Sequence, residues 1–298
     1  MCYMLALEKE RRVLRKTQVS LRFPRCPVQV VSPVGYVLAD ITRAYRCFAD
    51  GTDEPAEATY VIRRRAGRLG CTRYVVEEAS SVGVSIGRGR VMPALEREIN
   101  QYLVGALGDH LLLHAAGVTM NNEGILLPGQ SGSGKTTLAG GLVRQGHGYL
   151  TDELVILQKR TNRIIPFPKA FSIKEGSFGL FEALGPDPTG PEYDRVWYID
   201  PERLRPGSVV KKPAPIAWVV FPHYEAGSDT RLERLTVGET VVGLFENAVN
   251  IDRHKRRGLD RLVTIAKRAP GYRLVFGDLA EACRLIMQIA EPTPTPCS

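Results

Sequence analysis

From Val28 to about Val91 the chain alternates short runs of strand-forming residues with turns rich in Gly, Asp and Pro. The runs lie at residues 28–31, 59–62, 73–76 and 83–86 and consist largely of β-branched and aromatic residues. Runs of this kind, bounded by turn residues, are typical of β-strands. The pattern therefore predicts a small, strand-rich N-terminal domain over residues 1–92.

From residue 93 onward the spacing of apolar residues becomes helical. Pro93 opens the segment and Gly108 closes it, which are the positions that these residues favour at helix ends. Apolar residues three or four positions apart form one stripe between them: Leu95, Ile99, Leu103 and Leu107. This pattern predicts a helix that leads into a second domain, over residues 93–291.

Two apolar runs separated by a polar turn follow this helix. Residues 110–119 and 125–128 indicate strands, and residues 121–124 indicate the hairpin turn between them. A tight turn joins antiparallel strands, so the sheet of this domain is not fully parallel. The predicted fold class is α/β, with a mixed sheet in the second domain and a small strand-rich domain before it.

The remainder of the second domain contains further strands and helices. Residues 149–157 and 217–221 indicate strands, residues 236–239 form a capping box before a helix, and Asp278 caps a last helix through Ile289. Residues 165–191, rich in Pro and Gly, are interpreted as loops. Residues 292–298 are interpreted as a disordered tail.

A phosphate-binding motif lies between the strand at residues 125–128 and the next helix. Residues 129–136 read Gly-Gln-Ser-Gly-Ser-Gly-Lys-Thr and fit the pattern G-x-x-x-x-G-K-[ST] at every position. Glycines let backbone N–H groups converge on phosphate oxygens, Lys135 neutralises phosphate charge, and the Thr136 hydroxyl ligates Mg²⁺. The strand and helix on either side disfavour the alternative, a chance Gly-rich turn. The residues predicted to bind ATP are Gly129, Ser131, Gly132, Ser133, Gly134, Lys135, Thr136 and Thr137.

Two adjacent carboxylates, Asp152 and Glu153, follow this phosphate-binding loop (the P-loop, residues 129–136) and the helix after it. A P-loop enzyme needs a second anchor for the metal and a group that orients or deprotonates the nucleophile. Where a strand turns into a loop, two adjacent side chains can both reach one site. We assign Asp152, with Thr136, to Mg²⁺ and Glu153 to the nucleophile, although these two roles could be exchanged. An exposed acidic pair at a strand edge is the alternative.

Composition and charge exclude several other classes of protein. The chain has 298 residues, of which 44% are hydrophobic, and its six scattered cysteines form neither a disulfide framework nor a zinc motif. A reducing cytoplasm is the expected location, and no membrane partner is expected because no apolar run reaches bilayer length. The net charge of +8 is dispersed in short runs such as residues 254–257. We interpret these runs as solvated faces, with an acidic or phosphorylated partner as the alternative, and expect no nucleic-acid partner.

The order of these residues resembles the catalytic domain of bacterial HPr kinase/phosphorylase. The shared pattern consists of Leu113-His114-Ala115, the P-loop and the segment from Gly146 to Glu153, and the resemblance covers roughly residues 95–180. HPr-kinase-related proteins found with ribosomally made peptides, such as lasso peptides, are more similar still. They share the Asp-Glu pair and the segment at residues 166–174. The P-loop also resembles that of phosphoenolpyruvate carboxykinases, and the fold type implied is that of these two families.

The resemblance implies a role for each residue of the predicted catalytic set. Lys135 and Thr136 would hold phosphate and Mg²⁺, and Asp152 would hold the metal. Glu153, at a position where the family has a second aspartate, would activate a substrate hydroxyl. His114 would lie beside Glu153 and modulate its proton.

Three further residues are assigned with their alternatives. By the same resemblance Lys169 or Lys174 is a candidate for phosphate contact, and a solvated loop lysine is an equal alternative. His147 is interpreted as part of a helix C-terminal cap rather than as a ligand.

These observations predict a cytoplasmic kinase that uses ATP and Mg²⁺ and phosphorylates a serine, or else a threonine. The expected acceptor is a protein or peptide bearing a serine, such as an HPr-like protein or a ribosomal peptide precursor. Two alternatives stay open: a nucleotide-binding regulator that transfers no phosphate, and a small-molecule kinase. The sequence also leaves open whether the protein forms a homo-oligomer.

Overall fold

The computed structural model describes residues 18–23, 26–49, 55–66, 72–78, 84–184 and 196–290. Its strands are β1 (Gln18–Phe23), β2 (Cys26–Val31), β3 (Ala58–Ala66), β4 (Thr72–Glu78), β5 (Val84–Ile86), β6 (Leu111–Met120), β7 (Glu123–Pro128), β8 (Gly148–Thr151), β9 (Leu154–Leu157), β10 (Ile164–Ile165), β11 (Phe171–Lys174), β12 (Val196–Ile199), β13 (Ile216–Tyr224), β14 (Arg231–Arg234) and β15 (Gly271–Phe276). Its α-helices are α1 (Gly35–Ala44), α2 (Val91–Ala106), α3 (Lys135–Arg144), α4 (Pro201–Leu204), α5 (Val237–Glu246), α6 (Ile251–Arg268) and α7 (Leu279–Ala290). The predicted tail at residues 292–298 and the turns at residues 185–191 lie outside the described residues.

The chain divides into two compact units, and the first comprises residues 1–107 and 169–200. Within its described part the main sheet has the order β1-β2-β3-β4-β5, with β2 and β3 parallel and the other neighbours antiparallel. Helix α1 buries Val37, Leu38 and Ile41, and β11 pairs with β12 in a separate two-stranded antiparallel sheet. This sheet confirms the predicted strand-rich N-terminal domain.

The boundary between the units differs from the one expected at residue 92. Helix α2, expected to open the second domain, belongs to the first unit, where the Tyr60 hydroxyl donates to the Glu98 carbonyl over 3.2 Å. The segment that carries β11 also belongs there, and the Ala170 N–H donates to the Ala44 carbonyl over 2.7 Å. These contacts join residues far apart in sequence, so the pattern along the chain does not report them.

The second unit comprises residues 108–168 and 201–298 and is built on a mixed sheet. The strand order is β10-β9-β6-β7-β13-β15-β14, and β8 also pairs with β6. Strands β7, β13 and β15 are parallel, whereas β6 is antiparallel to β7, β8 and β9. The carboxyl ends of β7, β8, β13 and β15 therefore meet at one edge, which we call the P-loop edge. This topology confirms the predicted mixed sheet and its hairpin.

Helices cover both faces of the central strands of this sheet. Ile125, Leu126 and Leu127 are all fully buried, although adjacent side chains of a strand point to opposite faces. On one face Leu126 belongs to the same apolar cluster as Leu244 of α5 and Leu262 of α6. Helix α3 contacts β6, β7 and β8 outside this cluster and packs against α7. Burial on both faces explains why these strands read as continuous apolar runs.

Two of the predicted elements are wrong in part. The strand expected over residues 149–157 is interrupted at Asp152 and Glu153, which separate β8 from β9. Residues 165–191, interpreted as loops, contain strand β11 and a 3-10 segment, Glu175–Leu184. Strand β11 forms through pairing with the distant β12, so its own residues give little indication of it.

The predicted helix caps in the second unit are confirmed. The Glu239 N–H donates to the Thr236 hydroxyl over 3.2 Å, and the Thr236 N–H donates to the Glu239 carboxylate over 2.8 Å. The Glu281 N–H donates to the Asp278 carboxylate over 2.7 Å at the start of α7. Within the described ranges, no helix combines the length and the apolar character needed to cross a lipid bilayer.

Candidate active site

The P-loop connects the end of β7 to the start of α3 and depends on glycine at particular positions. Gly132 and Gly134 have φ angles of 92° and 88°, in the left-handed region that favours glycine. A Cβ atom on Gly134 would lie 2.7 Å from Cζ of Phe276, at the end of β15. The Tyr224 N–H donates to the Ser133 carbonyl over 3.0 Å, so β13 also holds the loop. The loop is thus fixed by two strands that follow it by many residues in sequence.

The loop offers polar groups suited to a phosphate. The Ser133 hydroxyl is buried without a hydrogen-bond partner, and a buried polar group in that state needs a reason. The first backbone N–H groups of a helix have no partner within the helix, and the first turn of α3 contains no acidic residue. Lys135 is buried at the same helix start. These residues fit the phosphate groups of a nucleoside triphosphate.

Thr136 and Asp152 are brought together at the P-loop edge. The Thr136 hydroxyl donates to Oδ1 of Asp152 over 2.9 Å, and Asp152 is only 1% exposed. A hydroxyl and a carboxylate are the oxygen ligands that Mg²⁺ accepts while it retains waters and substrate phosphates. This pair therefore fits the predicted protein ligands of Mg²⁺. In the described ranges, no cluster of three His, Cys, Asp or Glu side chains offers an alternative metal site.

Glu153 occupies a left-handed backbone conformation between β8 and β9. Its φ angle is 81°, which is unfavourable for a residue with a Cβ atom. Its carbonyl accepts the Ala115 N–H over 3.2 Å, so the turn remains attached to β6. The side chain of Glu153 is half-buried, whereas that of Asp152 is buried. Strained backbone of this kind is found disproportionately at functional sites.

His114 lies on β6 between the P-loop and the Asp-Glu turn. Its carbonyl accepts the Gly129 N–H over 3.4 Å, and its own N–H donates to the Asn247 carbonyl over 2.7 Å. It stands opposite Leu154 in the β6–β9 register, next to the Ala115 contact with Glu153. The structure therefore brings His114, the P-loop and the two carboxylates to one edge of one sheet.

The other candidate residues lie elsewhere or have other contacts. Lys169 is buried in the first unit and bonded to Glu96 and Ser172, so the alternative of a solvated loop lysine is wrong for it. Lys174 is exposed at the end of β11.

The backbone of His147 forms part of the cap at the end of α3, as predicted. Its N–H donates to the Leu142 carbonyl over 3.2 Å, and the Gly146 N–H donates to the Val143 carbonyl over 3.0 Å. Burial, and then the charge of Arg205, lower the pKa of the His147 side chain, so its ring is neutral at pH 7.

Three residues that contact the site had not been selected from the sequence. Tyr224 and Phe276 hold the P-loop from the ends of β13 and β15, and Asn247 follows α5 and bonds to His114. None of them lies in a motif, and each reaches the site through pairing between distant segments. An aromatic residue at the end of a buried strand is too common a feature to identify Tyr224 and Phe276 as site residues.

Comparison with known proteins gives partial similarity to one kind of enzyme. No protein-family model matches the chain. The chain is 34% identical over 84 residues to the HPr kinase/phosphorylase of Lachnoclostridium phytofermentans, a match that covers 28% of this chain and 27% of that protein. It is 29% identical over 94 residues to that of an Exiguobacterium species, covering 31% of this chain and 30% of the relative. It is 31% identical over 111 residues to that of Clostridium botulinum, covering 37% and 35%.

A solved structure also shows similarity, at a low level. The Hpr(Ser) kinase/phosphatase from Coxiella burnetii matches with a TM-score of 0.30 and 15% identity, over 59% of this chain and 98% of that chain. The sequence matches span about a third or less of the length of the curated relatives. The chain is therefore HPr-kinase-like over part of its length.

Proposed function

We propose that this protein is an ATP- and Mg²⁺-dependent kinase that transfers the γ-phosphate to a serine hydroxyl of a protein or peptide. The observation that carries the proposal is the 2.9 Å hydrogen bond from Thr136 to Asp152, next to a left-handed Glu153. A hydroxyl from the P-loop and a carboxylate from a neighbouring strand end are the parts that phosphoryl transfer requires on the donor side.

The P-loop residues bind and orient the triphosphate in this proposal. The Ser133 hydroxyl, buried without a partner, donates to a phosphate oxygen, and Lys135 compensates phosphate charge at the helix start. Mg²⁺ would be held by Thr136 and Asp152 and would neutralise charge that develops during transfer. Aligned donors of this kind act before the reaction begins, so they need no reorganisation during it.

The two carboxylates differ in a way that favours one division of roles. Asp152 is almost fully buried and accepts the Thr136 hydroxyl, which suits a metal ligand. Glu153 is half-buried, so its carboxylate is accessible to a substrate hydroxyl. In this proposal Glu153 accepts the proton of the acceptor serine. His114, whose backbone lies one register position away on β6, is assigned to modulate that proton, as the family resemblance implies.

The comparisons support a protein acceptor over a small molecule. Each of the relatives described above is named an HPr kinase/phosphorylase. The partial coverage leaves the acceptor of this chain as a proposal, and an HPr-like protein or a ribosomal peptide precursor are its two candidates. A cytoplasmic location, where ATP and such acceptors occur, goes with the proposal.

The test is phosphate transfer from γ-labelled ATP to a panel of HPr-like proteins and serine-bearing precursor peptides. Labelling of one acceptor is expected, with phosphoserine found by mass spectrometry and abolished by Glu153→Gln. Glu123→Gln, an exposed glutamate at the start of β7, is the matched control and should transfer normally. Tight ATP binding with no transfer to any acceptor would contradict the kinase and favour a nucleotide-binding regulator.

A further inference from the structure

Helix α5 presents large apolar side chains to solvent on the face that should be polar. Its inward residues, among them Thr240 and Leu244, are buried, as expected for an amphipathic helix. The outward side chains of Val242 and Phe245 are nevertheless 57% and 48% exposed, and Val249, just after the helix, is 45% exposed. Adjacent exposed apolar residues on a helix are typical of a surface that contacts a partner.

Basic side chains continue this surface. Arg256 and Arg257 are exposed in α6, seven and eight residues after Val249 and just past Lys255, where a positive φ of 48° interrupts the helix. Between residues 246 and 261 the chain carries five Lys or Arg residues and three Asp or Glu residues. We call Val242, Phe245, Val249, Arg256 and Arg257 the α5–α6 face. Its combination of apolar area and positive charge complements a segment that is both apolar and acidic.

The α5–α6 face is tied to the candidate active site through β6. The segment between α5 and α6 lies beside the part of β6 that does not pair with β7. The Asn247 carbonyl accepts the His114 N–H, and the Val249 N–H donates to the Leu112 carbonyl over 3.0 Å. The His254 ring contacts the His110 carbonyl at 3.0 Å, one turn into α6. Glu153 bonds to the opposite side of β6. The face therefore begins one strand away from the catalytic turn and extends along β6.

We propose that the α5–α6 face binds an acidic, apolar segment of the phosphoacceptor itself. This inference rests on the proposed kinase function and specifies its acceptor. Two strand spacings across β6, ~10 Å, and four residues along it, ~13 Å, separate Glu153 from His254, which precedes the basic end of the face by two residues. An extended acceptor covers that distance in about five residues. Acidic residues are therefore expected about five to seven positions from the phosphorylated serine.

A binding experiment without ATP tests the face independently of phosphate transfer. The probe is a fluorescein-labelled synthetic peptide of about 15 residues with Leu and Phe at helical spacing and Glu between them. Its control peptide carries Lys in place of every Glu. Fluorescence anisotropy with the Glu153→Gln protein should show binding of the Glu peptide about tenfold tighter than of the Lys peptide.

Variants of the face and matched variants elsewhere locate the binding. Phe245→Ser should weaken binding of the Glu peptide by about tenfold or more, and so should the double substitution Arg256→Glu with Arg257→Glu. Two control variants should change this affinity by less than about twofold. One is Leu180→Ser, at an equally exposed apolar residue of the first unit, and the other is Lys211→Glu with Lys212→Glu, at an exposed basic pair of the second unit. Circular dichroism melts check that all variants are folded.

The outcomes separate this proposal from the kinase proposal. Binding that depends on the face, without phosphate transfer to any acceptor, would support the docking site and contradict the kinase. Two results would overturn the docking site. One is phosphate transfer by the Phe245→Ser variant with the KM and kcat of the wild type; the other is a loss of peptide binding in the control variants equal to that in the face variants. A wild-type dimer that Phe245→Ser dissociates, without loss of peptide binding, would show that a second copy covers the face and would also overturn it.

Discussion

Two regions of this protein each bury a lysine near a carboxylate, yet they differ in how completely their polar groups are bonded. In the first unit Lys169 bonds to Glu96 and Ser172, and the Tyr198 hydroxyl donates to the other oxygen of Glu96 over 3.0 Å. Burial, and then the charge of Glu96, hold the pKa of Tyr198 well above its ordinary value, so the phenol remains a donor. This cluster satisfies its own charges.

The P-loop edge of the second unit contains an unsatisfied polar group and backbone strain. The Ser133 hydroxyl is buried without a partner, and Glu153 has a left-handed backbone that costs about 1–3 kcal/mol. Burial of charged residues therefore does not by itself identify a functional site here. The unbonded hydroxyl of Ser133 in the P-loop and the strained Glu153 between β8 and β9 distinguish the catalytic candidate from the structural cluster.

Glu153→Gln provides the largest test of this contrast. Loss of a general base is expected to lower kcat for phosphate transfer by about 10²- to 10⁴-fold. ATP affinity should stay unchanged, because Glu153 is not part of the P-loop. Single-turnover transfer and calorimetric ATP binding measure the two effects. A kcat close to that of the wild type would remove Glu153 from the chemistry.

Lys169→Met should act on stability and leave ATP affinity unchanged. It leaves the buried Glu96 uncompensated, and breaking a buried ion pair in this way costs about 3–5 kcal/mol in the free energy of unfolding. Denaturant unfolding measures the loss. Lys159→Met is the control, because the exposed Lys159–Asp109 pair is worth only about 0–1 kcal/mol.

A second substitution checks that the cost of Lys169→Met arises from the lone charge. Adding Glu96→Leu to that variant removes the uncompensated carboxylate and should recover part of the stability. No recovery, or a parallel loss of ATP binding in Lys169→Met, would contradict the purely structural role of the cluster.

Asp152→Asn should have an intermediate effect, confined to the metal-dependent part of nucleotide binding. The amide oxygen can still accept the Thr136 hydroxyl, so the fold is expected to persist. Loss of the carboxylate charge should weaken binding of ATP with Mg²⁺ by about 10- to 100-fold, the range typical for groups that support a metal. Calorimetric titrations with Mg²⁺ and with EDTA should then give nearly equal affinities. If the Asp152→Asn variant instead kept a difference between these two affinities as large as that of the wild type, Asp152 would not be a metal ligand.

The smallest expected effect is a gain in stability from Glu153→Gly. Glycine adopts a φ angle of 81° without a Cβ penalty, so we expect the free energy of unfolding to rise by about 1 kcal/mol while transfer is lost. Thermal melts monitored by circular dichroism measure the change. Glu123→Gly, in β7 with no positive φ, should instead be destabilising by about 0.5–1 kcal/mol. A destabilised Glu153→Gly would indicate that the turn is not strained.

Much of the second unit could be predicted because its patterns are local. The P-loop motif, the hairpin before it and the caps at Thr236 and Asp278 each depend on residues within a few positions of one another. The positive φ of Glu153 could not be predicted, because a short acidic pair inside an apolar run, residues 149–157, gives the pattern of one continuous strand. Helix α6 was also missed, since its charged sequence was interpreted as a solvated basic run.

The sequence by itself predicted a nucleotide site and assigned Lys135, Thr136 and two adjacent carboxylates to it. Only the tertiary structure decided that Asp152 is the carboxylate that meets Thr136 and that Lys169 belongs to a separate buried cluster. It alone brought the α5–α6 face beside His114. The physical reason is range: a motif or a cap is set by neighbouring residues, whereas these contacts depend on pairing between segments far apart in the chain.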